Sequence, residues 1–244
     1  MTILPQDLTV VVPTRNEERN IGNFLCSIPD GIRLVVVDAS TDSTPDIVSR
    51  ARPDYTTVIR YPGTVTEARL AGADAANTPW LLFTDADIVF SEDYFGNLKS
   101  LEEYDLIYGP KLSRDRHAGY YKWFAYGQFL IHQLGVPAAS GSNFIIRREA
   151  YLESGGFDAA LACNEDSELA WRVKRAGFTA HFTFDLVVYA KDHRRVEMGR
   201  TKKTLHSLTR CTALYFGLIP DKWRGRDWGY WRGYDSDTEL RNGN

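Results

Sequence analysis

Long apolar runs are missing from this 244-residue chain, and no stretch reaches the roughly 20 residues needed to cross a bilayer. The first residues, MTILPQDLTVVV, have neither the basic region nor the long apolar core of a secretory signal. Cysteine is scarce: Cys26, Cys163 and Cys211 are odd in number and widely spaced. They form no zinc pattern or disulfide framework and suit a reducing compartment. A cytoplasmic location is the expectation. A glycine-rich phosphate loop is also missing. PTRNEE, after the first apolar run, matches neither G-x-G-x-x-G nor a P-loop. This argues against a dinucleotide dehydrogenase or a P-loop NTPase, and leaves bound phosphates to metal and basic side chains. Excess positive charge is lacking too. The formal net charge of −3 predicts no general affinity for nucleic acid.

The charge is uneven. Residues 191–234 hold eleven Lys or Arg against four Asp or Glu, a local balance of +7 that leaves −10 for the rest. A basic segment on an acidic body suggests an anionic partner for that segment. Residues 223–234, WRGRDWGYWRGY, carry three of the six tryptophans with three arginines. Trp, Tyr and Arg at that density suit a membrane interface. They suit equally well a lid packed on the body or an oligomer contact.

Four short runs read as strands: LTVVV (8–12), IRLVVV (32–37), TTVIR (56–60) and WLLF (80–83). Near-continuous apolar runs belong to strands buried on both faces of a parallel sheet. Between them lie NEERNIGNFLCSI (16–28), STPDIVSRA (43–51) and TVTEARLAGADAA (64–76), each of helical pattern. The alternation predicts a doubly wound α/β fold, with ligands at the carboxyl ends of the strands. Further on, YYKWFAYGQFLIHQL (120–134) and NEDSELAWRVKRAG (164–177) read as helices. NFIIRR (143–148) reads as a strand, and TAHFTFDLVVYA (179–190) as one or two. Residues 201–219 place Leu205, Leu208, Thr212, Tyr215 and Ile219 on one helical face. The end, from 221, has little periodicity and reads as irregular.

Acidic residues sit where the strands stop. WLLFTDADIVF drives a buried run into Asp85 and Asp87. Two carboxylates so spaced can share a hard cation such as Mn²⁺ or Mg²⁺, although D-x-D alone is common and a solvated turn explains it equally. Asp38 ends the second run and is placed to accept from a base or ribose. Asp42, Ser43 and Thr44 beside it are good helix caps. Glu165 and Asp166 open a helix, where the dipole favours acids. A carboxylate there beside a metal site also suits a general base. His193 and the neighbouring Arg194, Arg195 and Arg200 suit a metal or phosphate, or plain solvation.

Taken in order, VVPTRNEERNIGNFLCSI, VVVDASTDSTPDIV, EARLAGADAANTPWLLFTDAD, GSNFIIRREAYLESGGFD and NEDSELAWRVKRAGF resemble the family 2 inverting glycosyltransferases of the GT-A fold. The resemblance covers roughly residues 7–195. It implies a mostly parallel, mixed sheet flanked by helices over residues 1–200, with a nucleotide-binding half to about 110 and an acceptor half beyond. Residues 201–244 would form an aromatic and basic helical extension. Thr14 and Glu17 would border the nucleotide, Asp38 would bind its base, and Arg69 and Arg195 would lie near the nucleotide or its phosphates. Asp85 and Asp87 would be the D-x-D pair, with Asp87 the more direct metal ligand and His193 a further one. Asp166 would be the catalytic base. Residues 141–143 and Gly155-Gly156-Phe157 would line the sugar and acceptor pocket.

The chain departs from the pattern in places. Asp38-Ala39-Ser40-Thr41-Asp42 is less glycine-rich than D-D-G-S, the usual A-R-N reads Ala68-Arg69-Leu70, and the processive Q-x-x-R-W is absent. The implied partners are a nucleotide diphosphate sugar, with UDP favoured, a divalent Mn²⁺ or Mg²⁺, and a hydroxyl acceptor, glycan or lipid-linked. Peripheral contact with an anionic membrane at its cytoplasmic face fits the basic segment. The competing readings are a D-x-D phosphohydrolase and a non-catalytic nucleotide-sugar-binding protein. The first wants its pair after the first strand; the second needs no base.

Overall fold

The computed structural model describes residues 2–191 and 209–225. In chain order its strands are β1 (Leu8–Thr14), β2 (Arg33–Asp38), β3 (Thr56–Arg60), β4 (Trp80–Thr84), β5 (Ile88–Phe90), β6 (Leu106–Tyr108), β7 (Lys111–Leu112), β8 (Asn143–Arg147), β9 (Ala180–Phe182) and β10 (Val188–Ala190). The helices are α1 (Ile21–Cys26), α2 (Thr44–Ala51), α3 (Val65–Ala75), α4 (Tyr94–Asn97), α5 (Ala118–Gln133), α6 (Arg148–Glu153) and α7 (Glu165–Arg175). A helical segment follows over residues 209–215, then a single turn at Asp221–Arg224.

Seven strands form one sheet in the order β3-β2-β1-β4-β8-β6-β9. The first four run parallel, β8 is antiparallel to both β4 and β6, and β9 is parallel to β6. The anticipated mixed, mostly parallel sheet is the one observed. The period of two sorts its side chains. Val10, Val12, Leu34, Val36 and Leu82 pack with Ile21, Phe24, Leu25 and Val48 of α1 and α2. Val11, Val35, Val37, Leu81 and Phe83 pack on the other face with α3 and α7, through Ala68, Ala73, Leu169, Ala170 and Val173. Each large side chain so buried is worth about 1.5–3 kcal/mol.

Close approach of α3 to the sheet depends on Gly72. A Cβ there would strike the Val11 side chain and lie 3.2 Å from Val37. Thr64 and Glu67 close a capping box at the start of α3, a device worth about 1 kcal/mol. A second sheet, β5-β10-β7, flanks the site end.

Several sequence expectations shift. The first helix is shorter than residues 16–28, because the amides of residues 16–18 bond to the next loop instead. The run 179–190 is two strands in different sheets. The short strands β5, β6 and β7 were not anticipated. The stretch after 221, expected to be irregular, begins with a helical turn. Of the helix expected over 201–219, Leu205 and Leu208 lie outside the described residues. Tyr215 packs edge-on against Trp171 of α7 at 5.1 Å. Arg224 pairs with Asp158, and its carbonyl accepts from the Ala162 amide at 3.3 Å. The segment 209–225 is thereby tied to the loop that leads into α7.

Candidate active site

Register builds the first part of the site. Thr14 pairs with Asp38 and Asp38 with Arg60, so three polar residues stand in a row at the carboxyl ends of β1, β2 and β3. Asp38 is 1% exposed. Its Oδ1 accepts from Thr14 Oγ1 at 2.7 Å and Ser40 Oγ at 2.6 Å, while Arg60 Nη1 donates to Oδ2. A buried carboxylate needs this satisfaction. The loops after β1 and β2 are then zipped together. Asn16 and Glu17 donate their amides to Ser40 Oγ and Thr44 Oγ1 at 2.8 and 2.9 Å, and Asn16 Oδ1 accepts from the Thr41 amide at 2.9 Å. Asn16 takes the left-handed conformation this requires, at φ 56°. Asp42 caps α2 by accepting from the Thr44 amide at 3.0 Å. The helix-capping reading of this loop thus holds for Asp42.

The second part lies beyond β4. Asp85 Oδ1 accepts from Arg69 Nη2 at 3.0 Å, and Oδ2 from the Ser142 hydroxyl. Asp87 Oδ1 accepts from Lys111 Nζ at 3.1 Å, and the same ammonium is 3.9 Å from Asp85 Oδ2. Two side-chain cations thus face the paired acids. Asp87 Oδ2 has no hydrogen-bond partner among the described residues.

The third part is the start of α7. Asn164 is left-handed, at φ 64°, and turns the chain so that Glu165 points inward. Glu165 is 4% exposed and accepts from Arg69 Nη1. Burial pushes its carboxyl up to about 7; Arg69 opposes the shift, and Asp166 and Asp85 add to it. Asp166 Oδ2 accepts from the Gly141 amide at 2.6 Å, and Oδ1 from the Ser167 amide at 2.7 Å. Charge-assisted bonds of this kind fix a carboxylate's orientation.

The expected residues fall as follows. Thr14, Asp38 and Glu17 gather at the first two strand ends. Asp85, Asp87, Asp166 and Arg69 gather at the other side of β1. Arg69 is buried between two carboxylates rather than presented to a ligand. Residues 141–143 stand between Asp85 and Asp166, whereas Phe157 is buried in the core against Phe83 at 4.8 Å. His193, Arg194, Arg195, Arg200, Lys202 and Lys203, and the tail from 226 with Trp228 and Trp231, lie outside the described residues. Among the described residues no group of three or more His, Cys, Asp or Glu is placed to hold a metal. Lys111 and Arg60 had no signal in the sequence: each is a single polar residue whose partner is set by tertiary pairing. Glu165 was visible only as half of a helix-opening acid pair.

Comparison with known proteins places this geometry. Residues 9–155 match the model described as glycosyl transferase family 2. The chain is 26% identical over 208 residues to a pre-mycofactocin glycosyltransferase of Mycobacterium tuberculosis, covering 78% of this chain and 43% of that protein. It is 33% identical over 118 residues to a dolichyl-phosphate hexose transferase of Haloferax volcanii, covering 44% of this chain and 49% of the other. The chain thus spans about half the length of the curated relatives it matches. Among solved structures, the mannosyltransferase PcManGT of Pyrobaculum calidifontis, in complex with GDP-Man and Mn²⁺, superposes with a TM-score of 0.67 at 24% identity. That match covers 89% of this chain and 67% of the other. S. aureus TarS 1-349 with UDP-GlcNAc gives 0.62 at 20% identity, over 75% and 58%. At these identities the structures establish the fold, a GT-A glycosyltransferase architecture. With the family model matching well over half its length, the chain belongs to glycosyl transferase family 2.

Proposed function

We propose that this glycosyltransferase moves a hexosyl group from a nucleoside diphosphate sugar to an acceptor hydroxyl, with inversion and with a divalent cation. The observation that carries the reading is the setting of Asp166. Its carboxylate stands at a helix start, oriented by two backbone amides and joined through residues 141–142 to Asp85. A general base needs that fixed orientation beside the donor's leaving group. Asp166 accepts the acceptor's hydroxyl proton as the oxygen bonds to the anomeric carbon. The bond from that carbon to the β-phosphate oxygen breaks, and the nucleoside diphosphate departs in the same step. One displacement inverts the centre without a covalent intermediate.

The acids fit a cation. Among the described residues, Asp85, Asp87, Glu165 and Asp166 gather around Arg69 and Lys111, and Asp87 Oδ2 has no hydrogen-bond partner there. Asp87 would hold Mn²⁺ or Mg²⁺ most directly, with Asp85 and His193 beside it. When bound, such an ion supplies charge to the leaving diphosphate. The nucleotide would lie along Thr14, Glu17 and Asp38, with Arg195 near the phosphates. The Mn²⁺ of one solved neighbour and the nucleotide sugars of both support this co-substrate, and the sequence reading favours a UDP-sugar. Residues 1–110 would serve the nucleotide and 111–200 the acceptor. A lipid-linked or glycan acceptor fits the aromatic α5 and the basic segment beyond 191, which would meet an anionic membrane at its cytoplasmic face. A D-x-D phosphohydrolase fits less well, since the pair follows β4, not β1.

Asp166→Asn is the test. Transfer should fall at least about 1,000-fold, within the range of general base catalysis. Donor affinity by calorimetry with Mn²⁺ should change less than about threefold. Near-full transfer by the variant would remove Asp166 from the role.

A further inference from the structure

The carboxylates on the two sides of the site are joined by a closed ring of contacts. Asp85 accepts from Arg69; Arg69 donates to Glu165; Glu165 adjoins Asp166 at the start of α7. Asp166 accepts from the Gly141 amide at 2.6 Å, and the next residue, Ser142, donates its hydroxyl back to Asp85. Four separate parts of the chain meet in this ring: α3, the end of β4, the loop before β8 and the start of α7.

Arg69 stands inside the ring. Its guanidinium is 4% exposed and spans two carboxylates with its two terminal nitrogens. It also lies flat against Gly141. A Cβ on Gly141 would sit 2.6 Å from both Cζ and Nη1, so the glycine backbone rests directly on the cation. The same peptide donates to Asp166. A planar, permanently charged fork can hold two carboxylates at a fixed separation while presenting a flat face to a third group. An ammonium is a point donor and lacks that face.

We infer that Arg69 is a positioning residue, which sets the distance between the D-x-D carboxylate Asp85 and the base Asp166 by clamping Asp85, Glu165 and the Gly141 peptide together. It does not touch the donor phosphates. This replaces the sequence reading, which placed Arg69 near the nucleotide or its phosphates, and it rests on Asp166 as the base. A misplacement of about 1 Å between reacting groups costs about 100-fold in rate. Loss of the clamp therefore acts on kcat and leaves donor binding in place. A phosphate-binding arginine would do the reverse.

The test compares wild type, Arg69→Lys and Gly141→Ala, each first checked for a cooperative thermal transition. Gly141→Ala pushes on the guanidinium from outside and keeps the cation, so it serves if Arg69→Lys does not fold. Either variant should lower kcat about 100-fold while the donor's calorimetric Kd with Mn²⁺ moves less than about threefold. By NMR, the backbone amide at position 141 should exchange with solvent at least about tenfold faster in either variant than in wild type. This readout needs no turnover. A raised donor Kd at unchanged kcat would show a phosphate contact and overturn the inference. Unchanged amide exchange would overturn it as well. If wild type itself transferred no sugar, the proposed function would fail, and the exchange measurement would still decide the clamp.

Discussion

Glu165 is a buried acid whose charge state bears on the stability of the fold. Its carboxyl is raised by burial to about 7, against an ordinary 4.5. An acid raised in the folded state binds its proton more tightly there than in the unfolded chain. Its contribution is therefore fully present below about pH 4.5 and is lost as pH climbs to about 7, above which the loss is complete. Glu165→Gln keeps an acceptor for Arg69 and cannot ionise. Urea midpoints measured between pH 4.5 and 8 should show wild type losing stability relative to the glutamine variant across that window. Parallel curves would mean that the ion pair with Arg69, not burial, dominates at Glu165. Asp38 shows the other solution to a buried acid. Two hydroxyls and Arg60 satisfy it in place.

At the scale of elements, packing distance decides. Alanine at position 72 would gain about 1 kcal/mol in helix propensity over glycine. Against this, the added methyl meets the Val11 side chain where α3 crosses β1. Overpacking of that kind costs about 1–3 kcal/mol, and a collision with a buried, branched side chain belongs at the upper end. The net cost is about 2 kcal/mol, so Gly72→Ala should lower Tm by about 4–8 °C, at about 2–4 °C per kcal/mol for a chain of this size. A raised Tm in calorimetry would show that α3 can lift off the sheet. The elements that could be read in advance share a physical property. β1, β2 and β4 carry unbroken apolar runs because both of their faces are buried, and α7 carries a full helical period. The elements that could not be read are short. Residues 88–90, 106–108 and 111–112 are too brief for a period, and only pairing with distant strands makes them strands. Residues 16–18 look helical, yet their amides are taken by Ser40, Thr44 and Asp42. The site divides the same way. Asp38, Asp85 and Asp166 stand at strand or helix ends that the pattern marks. The clamp on them joins Arg69 to a residue 96 positions away, which no local pattern encodes.

For the whole molecule, the outer side of α5 is the feature that packing leaves unexplained. The helix buries Tyr121, Ala125 and Gln128. Its opposite side carries Trp123, Leu130 and Leu134 at 80%, 61% and 82% exposure. These positions repeat at helical spacing, so they form a stripe, not scattered exceptions. Contiguous apolar surface of this kind marks an interaction site. No described helix is long and apolar enough to cross a membrane; the idea to be tested is that the stripe meets a bilayer surface. The local +7 of residues 191–234 suits an anionic headgroup layer. Flotation with liposomes of anionic and of zwitterionic lipid tests the idea. Wild type should float with the anionic vesicles, and less so as salt is raised. Burying a large apolar side chain is worth about 1.5–3 kcal/mol, so Trp123→Asp with Leu134→Asp should weaken vesicle affinity at least about tenfold. Both positions are exposed, so the fold and its thermal transition should be unchanged. Failure of wild type to float at low salt would remove the membrane from the account. Equal flotation of the double variant would move the contact from α5 to the basic segment.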